Sequence, residues 1–282
     1  MTELVKWRGT PGVGDFMMAL NVCHNYAFVN KKKVSLEMHW RHDETYLHHP
    51  RDPETIIERM EWIHSKYHRQ DDVEVSHVYN SNLFQFNHEA EKDRYYFESN
   101  AYKPTGGPPN NWIFKPEEFV SKTKKIVMWT PTYNKEPPRN WKRFLTNDDW
   151  YDIIKILRWE GWILQELTYR TPIAEAYRHI QESDFIVCYD GMWHYIARNF
   201  GKPMFIPSWE GVTKYHTPHA VTRPNINIKD YNDNLELAQR IGRQEVKDFF
   251  SDGGNNFVPN MNKMKNKAKS YLEMLKSKYH ED

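Results

Sequence analysis

A glycine-rich loop that ends in a carboxylate occupies residues 8–15, between a short apolar run and a stretch with helical spacing. Glycines in such a loop let the backbone approach a ligand closely, and the beginning of a helix favours negative charge. The glycine spacing differs from a dinucleotide-binding fingerprint, and no Gly-Lys-Ser/Thr follows as in a Walker loop. By its position, Asp15 is either the N-cap of the helix or a general base that takes a proton from an acceptor hydroxyl.

Hydroxyls and cations follow a second apolar run, which is typical of a strand. These residues are Thr130, Thr132, Lys135, Arg139, Lys142 and Arg143. Arginine and lysine neutralise phosphate charge, and threonine donates hydrogen bonds. The loop is therefore either a pyrophosphate cradle or a solvated basic loop.

A third loop contains Asp190 and Gly191 and precedes a helix that begins at Met192. Gly191 would let a phosphate approach the N-terminus of that helix, where backbone amides and the helix dipole favour an anion. His194 lies in the first turn, and it is either a structural histidine or a ligand contact.

The spacing of histidines and cysteines predicts no metal centre. The cysteines, Cys23 and Cys188, lie far apart in apolar segments, which predicts two buried free thiols. Several histidines near Asp43 fit no zinc pattern, and we interpret them as a histidine-rich surface loop. They are His39, His42, His48 and His49.

Strands alternate with helices along much of the chain, which predicts parallel sheets with right-handed crossovers. Each loop described above follows a predicted strand, and open α/β sheets bind ligands at the carboxyl ends of their strands. Predicted strands cover residues 4–7, 34–38, 73–79, 126–129, 162–167, 185–189 and 203–207. Predicted helices cover residues 16–30, 53–69, 148–160, 173–183, 192–200, 233–250 and 260–279.

The strongest cluster of chain breakers is Gly106, Gly107, Pro108 and Pro109. We predict an interdomain linker near residues 104–122 and two α/β domains, at residues 1–112 and 113–282. The last predicted helix either stays with the second domain or packs back on the first. Two such domains predict a ligand cleft between them, with both parallel sheets facing it.

Composition narrows the class of protein. The 282 residues are 39% hydrophobic and 27% charged, which excludes fibrous, low-complexity and wholly disordered proteins. The apolar runs are too short for a bilayer span and no export signal is evident, so we expect a soluble, cytoplasmic protein. Residues 1–120 have a net charge of −4 and residues 121–282 one of +5, which suits a small anionic ligand better than a long polyanion.

Several segments resemble the heptosyltransferase family, two-domain GT-B-fold glycosyltransferases that use a nucleotide-activated sugar. Gly-Val-Gly-Asp-Phe at residues 12–16 resembles the family's Gly-x-Gly-Asp run, and residues 180–187 resemble the helix and strand before its donor loop. Residues 191–203 resemble its Gly-x-x-His…Ala…Gly-x-Pro run. Asp190 directly precedes Gly191, however, where the family usually has one residue between them. The chain looks like a compact, phage-type member.

The resemblance implies an inverting, nucleotide-sugar-dependent glycosyltransferase with an acceptor-side first domain and a donor-side second domain. Asp15 corresponds to the family's proposed catalytic base. No metal or other cofactor is expected, because cations and a helix N-terminus can hold the leaving diphosphate. Acceptor contacts are predicted at Arg8, Trp40 and Arg41. Donor contacts are predicted at Gly14, Thr130, Thr132, Lys135, Arg139, Lys142, Asp190, Gly191, Met192 and His194.

Two classes of acceptor molecule are compatible with the sequence. A hydroxymethylated cytosine in double-stranded phage DNA is favoured by the lysine-rich segment 263–278 and by aromatic residues suited to stacking on a flipped base. A saccharide or lipopolysaccharide-type glycan is favoured by the negative first half, because phosphate contacts dominate affinity for DNA. A third interpretation, prompted by the shifted Asp190, is a nucleotide-sugar-binding protein without catalysis. The stacking candidates are Trp40, Tyr95, Tyr96 and Trp112.

Overall fold

The computed structural model describes residues 2–7, 12–39, 55–79, 97–98, 125–129, 147–159, 161–168, 170–188, 192–200, 202, 204–207, 220–223, 270 and 273. The chain divides into two compact units, Met1–Pro116 with Ser277–Asp282, and Glu117–Lys276. The predicted linker, the predicted domain bounds at 112/113 and the predicted helix 233–250 lie outside the described residues. Within the last predicted helix, Ser270 and Glu273 are helical.

The first unit is built on a four-stranded sheet. Its strands are β1 (Glu3–Trp7), β2 (Val34–His39), β3 (Val73–Val78) and β4 (Phe97–Glu98), in the order β3-β2-β1-β4. Its described helices are α1 (Val13–Asn30) and α2 (Ile56–His64). β1 and β3 pair in parallel with β2, while β4 pairs antiparallel with β1. The predicted β-α-β beginning of the chain is confirmed.

Backbone geometry and capping set the ends of α1 and α2. α1 begins earlier than the predicted residue 16, with extended Gly12 (φ −90°, ψ 150°) as its N-cap, and it ends where Lys31 is left-handed (φ 50°). α2 begins at a capping box, in which the Thr55 hydroxyl accepts from the Glu58 amide and the Glu58 carboxylate accepts from the Thr55 amide. α2 ends before the predicted residue 69, which is itself left-handed (φ 56°).

The second unit is built on a five-stranded sheet that is parallel throughout. Its strands are β5 (Lys125–Trp129), β6 (Ile163–Leu167), β7 (Phe185–Val187), β8 (Met204–Pro207) and β9 (Ala220–Arg223), in the order β6-β5-β7-β8-β9. Its described helices are α3 (Asn147–Trp159), α4 (Ile173–Glu182) and α5 (Met192–Asn199). The predicted α/β fold with two Rossmann-like sheets is confirmed. No helix in the described ranges is long and apolar enough to cross a membrane.

Burial confirms the prediction for the two cysteines and contradicts the prediction for one histidine. Cys23 and Cys188 are both buried free thiols. His39 was predicted to lie in a surface loop, but it is the last residue of β2 and is only 4% exposed. β2 therefore extends one residue further than predicted, and the His39 side chain is buried. Its Nε2 lies 3.2 Å from Glu37 Oε2. His42, His48 and His49 lie outside the described residues.

Stacked rings fill the space where α1 packs against α2. His24 on α1 is fully buried and stacks on Tyr67, with ring centroids 4.9 Å apart and planes 12° apart. Its centroid lies 6.2 Å from that of His64 at the end of α2. Burial lowers the pKa of His24 well below its usual range, and the nearby His64, His68 and Arg69 lower it further. His24 is therefore neutral in the folded protein.

We expect acid to destabilise the first unit. The unfolded chain protonates His24 near its ordinary pKa of 6.5, whereas the folded chain resists protonation. This contribution to stability is thus intact above that pH and is lost as the pH falls below it. The unfolding temperature of the first unit should decrease as the pH falls from about 7 to about 5. His24→Phe keeps a stacking ring without the titrating group and should shift less; equal shifts would contradict this assignment.

Candidate functional site

The carboxyl ends of β5 and β7 lie side by side in the second unit. The two strands pair in parallel, with Met128 opposite Val187. β5 ends at Trp129 and β7 ends at Val187, so the chain continues into residues 130–146 and 188–191 from the same edge of the sheet. The two predicted phosphate-binding loops therefore start from neighbouring strands, at the edge where open parallel sheets bind ligands.

Helix α5 carries the described part of the third motif. It begins at Met192, shortly after β7, and buries every residue from Trp193 to Asn199. His194, its third residue, is fully buried, and its ring centroid lies 4.7 Å from that of Tyr195. Met192 is half-buried and keeps exposed surface in the first turn. The burial of His194 favours its structural alternative, and a donor contact in this turn is more accessible to Met192.

Gly14 and Asp15 lie in the first turn of α1, which follows β1 after a short connection. Gly12 is the N-cap and makes no side-chain capping bond, so the interpretation of Asp15 as the N-cap is wrong. Asp15 is the third helical residue, where unpaired amides and the helix dipole still favour a carboxylate. Its role as a general base stays a prediction.

The remaining predicted site residues lie outside the described part of the chain, and their roles stay predictions. They are Arg8, Trp40, Arg41, Thr130, Thr132, Lys135, Arg139, Lys142, Asp190 and Gly191. Among the residues that the structure describes, no three His, Cys, Asp or Glu side chains group as metal ligands.

The second unit buries two charged side chains that the sequence analysis did not single out. Asp149, the third residue of α3, is fully buried, and Arg198 on α5 is 2% exposed. Both side chains have interaction partners. This is expected, because burying an isolated charge costs much free energy. In the sequence, the acidic pair at residues 148–149 lies at the start of a predicted helix and could have drawn attention to Asp149. No pattern marks Arg198, because a cation in the last turn of a helix is common.

A hydrogen-bonded network lies at the opposite, amino end of β5. Lys125 Nζ donates to His179 Nδ1 at 3.0 Å and to Glu182 Oε2 at 3.2 Å. An ammonium group can only donate, so His179 accepts at Nδ1 and donates from Nε2 to Glu175, 3.2 Å away. The network joins β5 to α4, and its distance from the carboxyl edge indicates a structural role.

Known proteins resemble this chain in three-dimensional structure. No protein-family model matches the sequence, and no curated protein matches it. The dodecameric iron-containing heptosyltransferase TibC, in complex with ADP-D-β-D-heptose, is similar with a TM-score of 0.53 and 9% identity over 96% of this chain and 77% of that one. A second structure of TibC, from enterotoxigenic Escherichia coli, gives a TM-score of 0.51 and 10% identity over the same shares of the two chains.

The heptosyltransferase WaaC of E. coli, solved with ADP, is also similar. Its TM-score is 0.37, at 12% identity over 85% of this chain and 100% of that one. The two likenesses to TibC show the fold: the chain has a GT-B-type fold similar to that of this heptosyltransferase.

We expect His194 to contribute to stability, because its imidazole is fully buried in α5. His194→Ala should lower the free energy of unfolding by about 1–3 kcal/mol, through lost packing and lost polar contacts. The exposed Trp159 offers a control, since it is 91% exposed and Trp159→Ala should change stability little. Equal denaturation midpoints for His194→Ala and the wild type would show that the imidazole is not part of the packed interior.

Proposed function

We propose that the chain is a glycosyltransferase that moves a sugar from a nucleotide-sugar donor to an acceptor hydroxyl, with inversion at the anomeric carbon. The observation that carries the proposal is the placement of the two motifs in this fold. Gly14 and Asp15 occupy the first turn of the helix after β1, and Met192 and His194 occupy the first turn of the helix after β7. Both turns follow the carboxyl ends of parallel strands, where this architecture binds its ligands.

In the proposed reaction, Asp15 takes the proton of the acceptor hydroxyl as its oxygen attacks the anomeric carbon. The bond from that carbon to the donor diphosphate breaks in the same step, through an oxocarbenium-like transition state. The electron pair leaves with the diphosphate. The N-terminus of α5 and the cations Lys135, Arg139 and Lys142 stabilise that developing charge.

A nucleotide sugar is the proposed donor, and ADP-heptose is the first one to test, because TibC was solved with it. A thermal-shift panel of ADP-, GDP- and UDP-sugars identifies the nucleotide, and a donor-hydrolysis assay then measures turnover with water in place of the acceptor. Binding without hydrolysis or transfer would support the non-catalytic interpretation instead.

Asp15→Asn tests the proposed base. The amide cannot take the proton, so we expect turnover to fall by about 100-fold or more. Donor binding, measured by thermal shift with the nucleotide sugar that the panel selects, should stay close to that of the wild type, because the proposed donor contacts lie mostly in the second unit. Unchanged turnover would remove Asp15 from the mechanism.

We further propose that transfer needs no divalent metal, because the cationic loop and the start of α5 supply positive charge to the diphosphate. TibC is described as iron-containing, so the point requires a direct experiment. Turnover should persist after dialysis against EDTA. Loss of turnover that manganese or iron restores would contradict metal independence.

For the acceptor, we propose hydroxymethylcytosine in double-stranded DNA of phage type. The lysine-rich segment 263–278 supports it, since lysines along one segment neutralise phosphates. A gel-shift assay with hydroxymethylcytosine and plain cytosine duplexes, at two salt concentrations, tests this choice. Binding that is absent for both duplexes would favour a glycan acceptor.

A further inference from the structure

Tyr67 lies along one face of α1, the helix that carries Asp15 in its first turn. Met17, Asn21 and His24 share that face by their helical spacing, and Tyr67 contacts all three. Its ring stacks on His24, while its hydroxyl reaches the two residues nearer the helix start. The phenol therefore points towards the turn that contains Asp15.

The Tyr67 hydroxyl has one proton and two acceptors on α1. It lies 2.8 Å from Asn21 Oδ1 and 3.3 Å from the Met17 carbonyl oxygen, so Asn21 is the main acceptor. Tyr67 is fully buried and Asn21 is 1% exposed. Water cannot readily replace the hydroxyl at this depth, and its loss leaves a buried acceptor unsatisfied.

Tyr67 belongs to the connection between α2 and β3. Its amide donates to the His64 carbonyl oxygen at 3.1 Å, and the chain then passes through a 3-10 turn, Gln70–Asp72, into β3. The hydroxyl thus ties the first half of α1 to a segment anchored in the sheet. Apolar contacts of α1, such as those of the fully buried Phe16, resist separation but set no direction.

We propose that Tyr67 is a positioning residue for Asp15. The inference rests on the proposed function, in which Asp15 is the base. Met17 follows Asp15 closely in the same helix, so a bond to the Met17–Asn21 turn limits movement of the first turn. Proton transfer requires hydrogen-bond reach, and a misplacement of about 1 Å can cost about 100-fold in rate.

Tyr67→Phe removes the hydroxyl and keeps the ring on His24. We expect kcat for donor hydrolysis to fall about five- to tenfold, while KM for the donor stays within about twofold. The substrate is the nucleotide sugar that the thermal-shift panel selects. Amide hydrogen exchange across residues 16–21 should become faster. Tyr177→Phe is the matched control: it removes a buried phenol hydroxyl from the second unit and should leave kcat unchanged.

Asn21→Ala removes the other side of the same bond and tests the same role if Tyr67→Phe does not fold. Because both changes remove one interaction, the double variant should be no slower than the slower single variant. Thermal melts establish that each variant is folded at the assay temperature. Unchanged kcat in Tyr67→Phe beside an inactive Asp15→Asn would overturn the positioning role alone. Full activity of Asp15→Asn, or no turnover by the wild type, would overturn the proposed function and this role together.

Discussion

Parallel pairing of strands is the constraint on which the rest of this structure depends. In a parallel sheet every strand ends at the same edge, and each connecting helix begins there. The pairing of β5 with β7 places the chain after Trp129 beside the chain after Val187, although the two are far apart in sequence. The pairing of β1 with β2 likewise sets the edge from which the first turn of α1 starts. Helix N-termini suited to anions follow from the topology alone.

Packing rather than capping holds the two helices that carry the motifs. α1 begins without a side-chain cap, and α5 has only eight residues, too few to be stable alone. Both are held by burial: Phe16 and Leu20 of α1 are fully buried, and α5 is buried from Trp193 to Asn199. The Tyr67 hydroxyl adds hydrogen bonds to α1, which have a direction that apolar contacts lack.

Hydropathy periodicity predicted α1 to α5 and seven of the nine described strands, because buried faces leave a period that a sequence shows. Hydropathy alternation did not predict helix ends that depend on backbone geometry. α1 begins at Val13 because Gly14 is tolerated inside the turn, although glycine suggested a loop. β4 and β9 were missed, since β4 has only two residues and β9 lies between two chain breakers, Pro218 and Pro224. For the site, loop composition indicated where to look, whereas the burial of His194, Asp149 and Arg198 depends on tertiary packing and leaves no sequence period.

In the proposed function, the carboxyl edge of the second sheet binds the diphosphate of a nucleotide sugar. A crystal structure of the protein with ADP, GDP or UDP tests it most directly. We expect the diphosphate to contact the first turn of α5, beside the carboxyl ends of β5 and β7. A nucleotide bound at the amino ends of these strands, near Lys125 and His179, would contradict it.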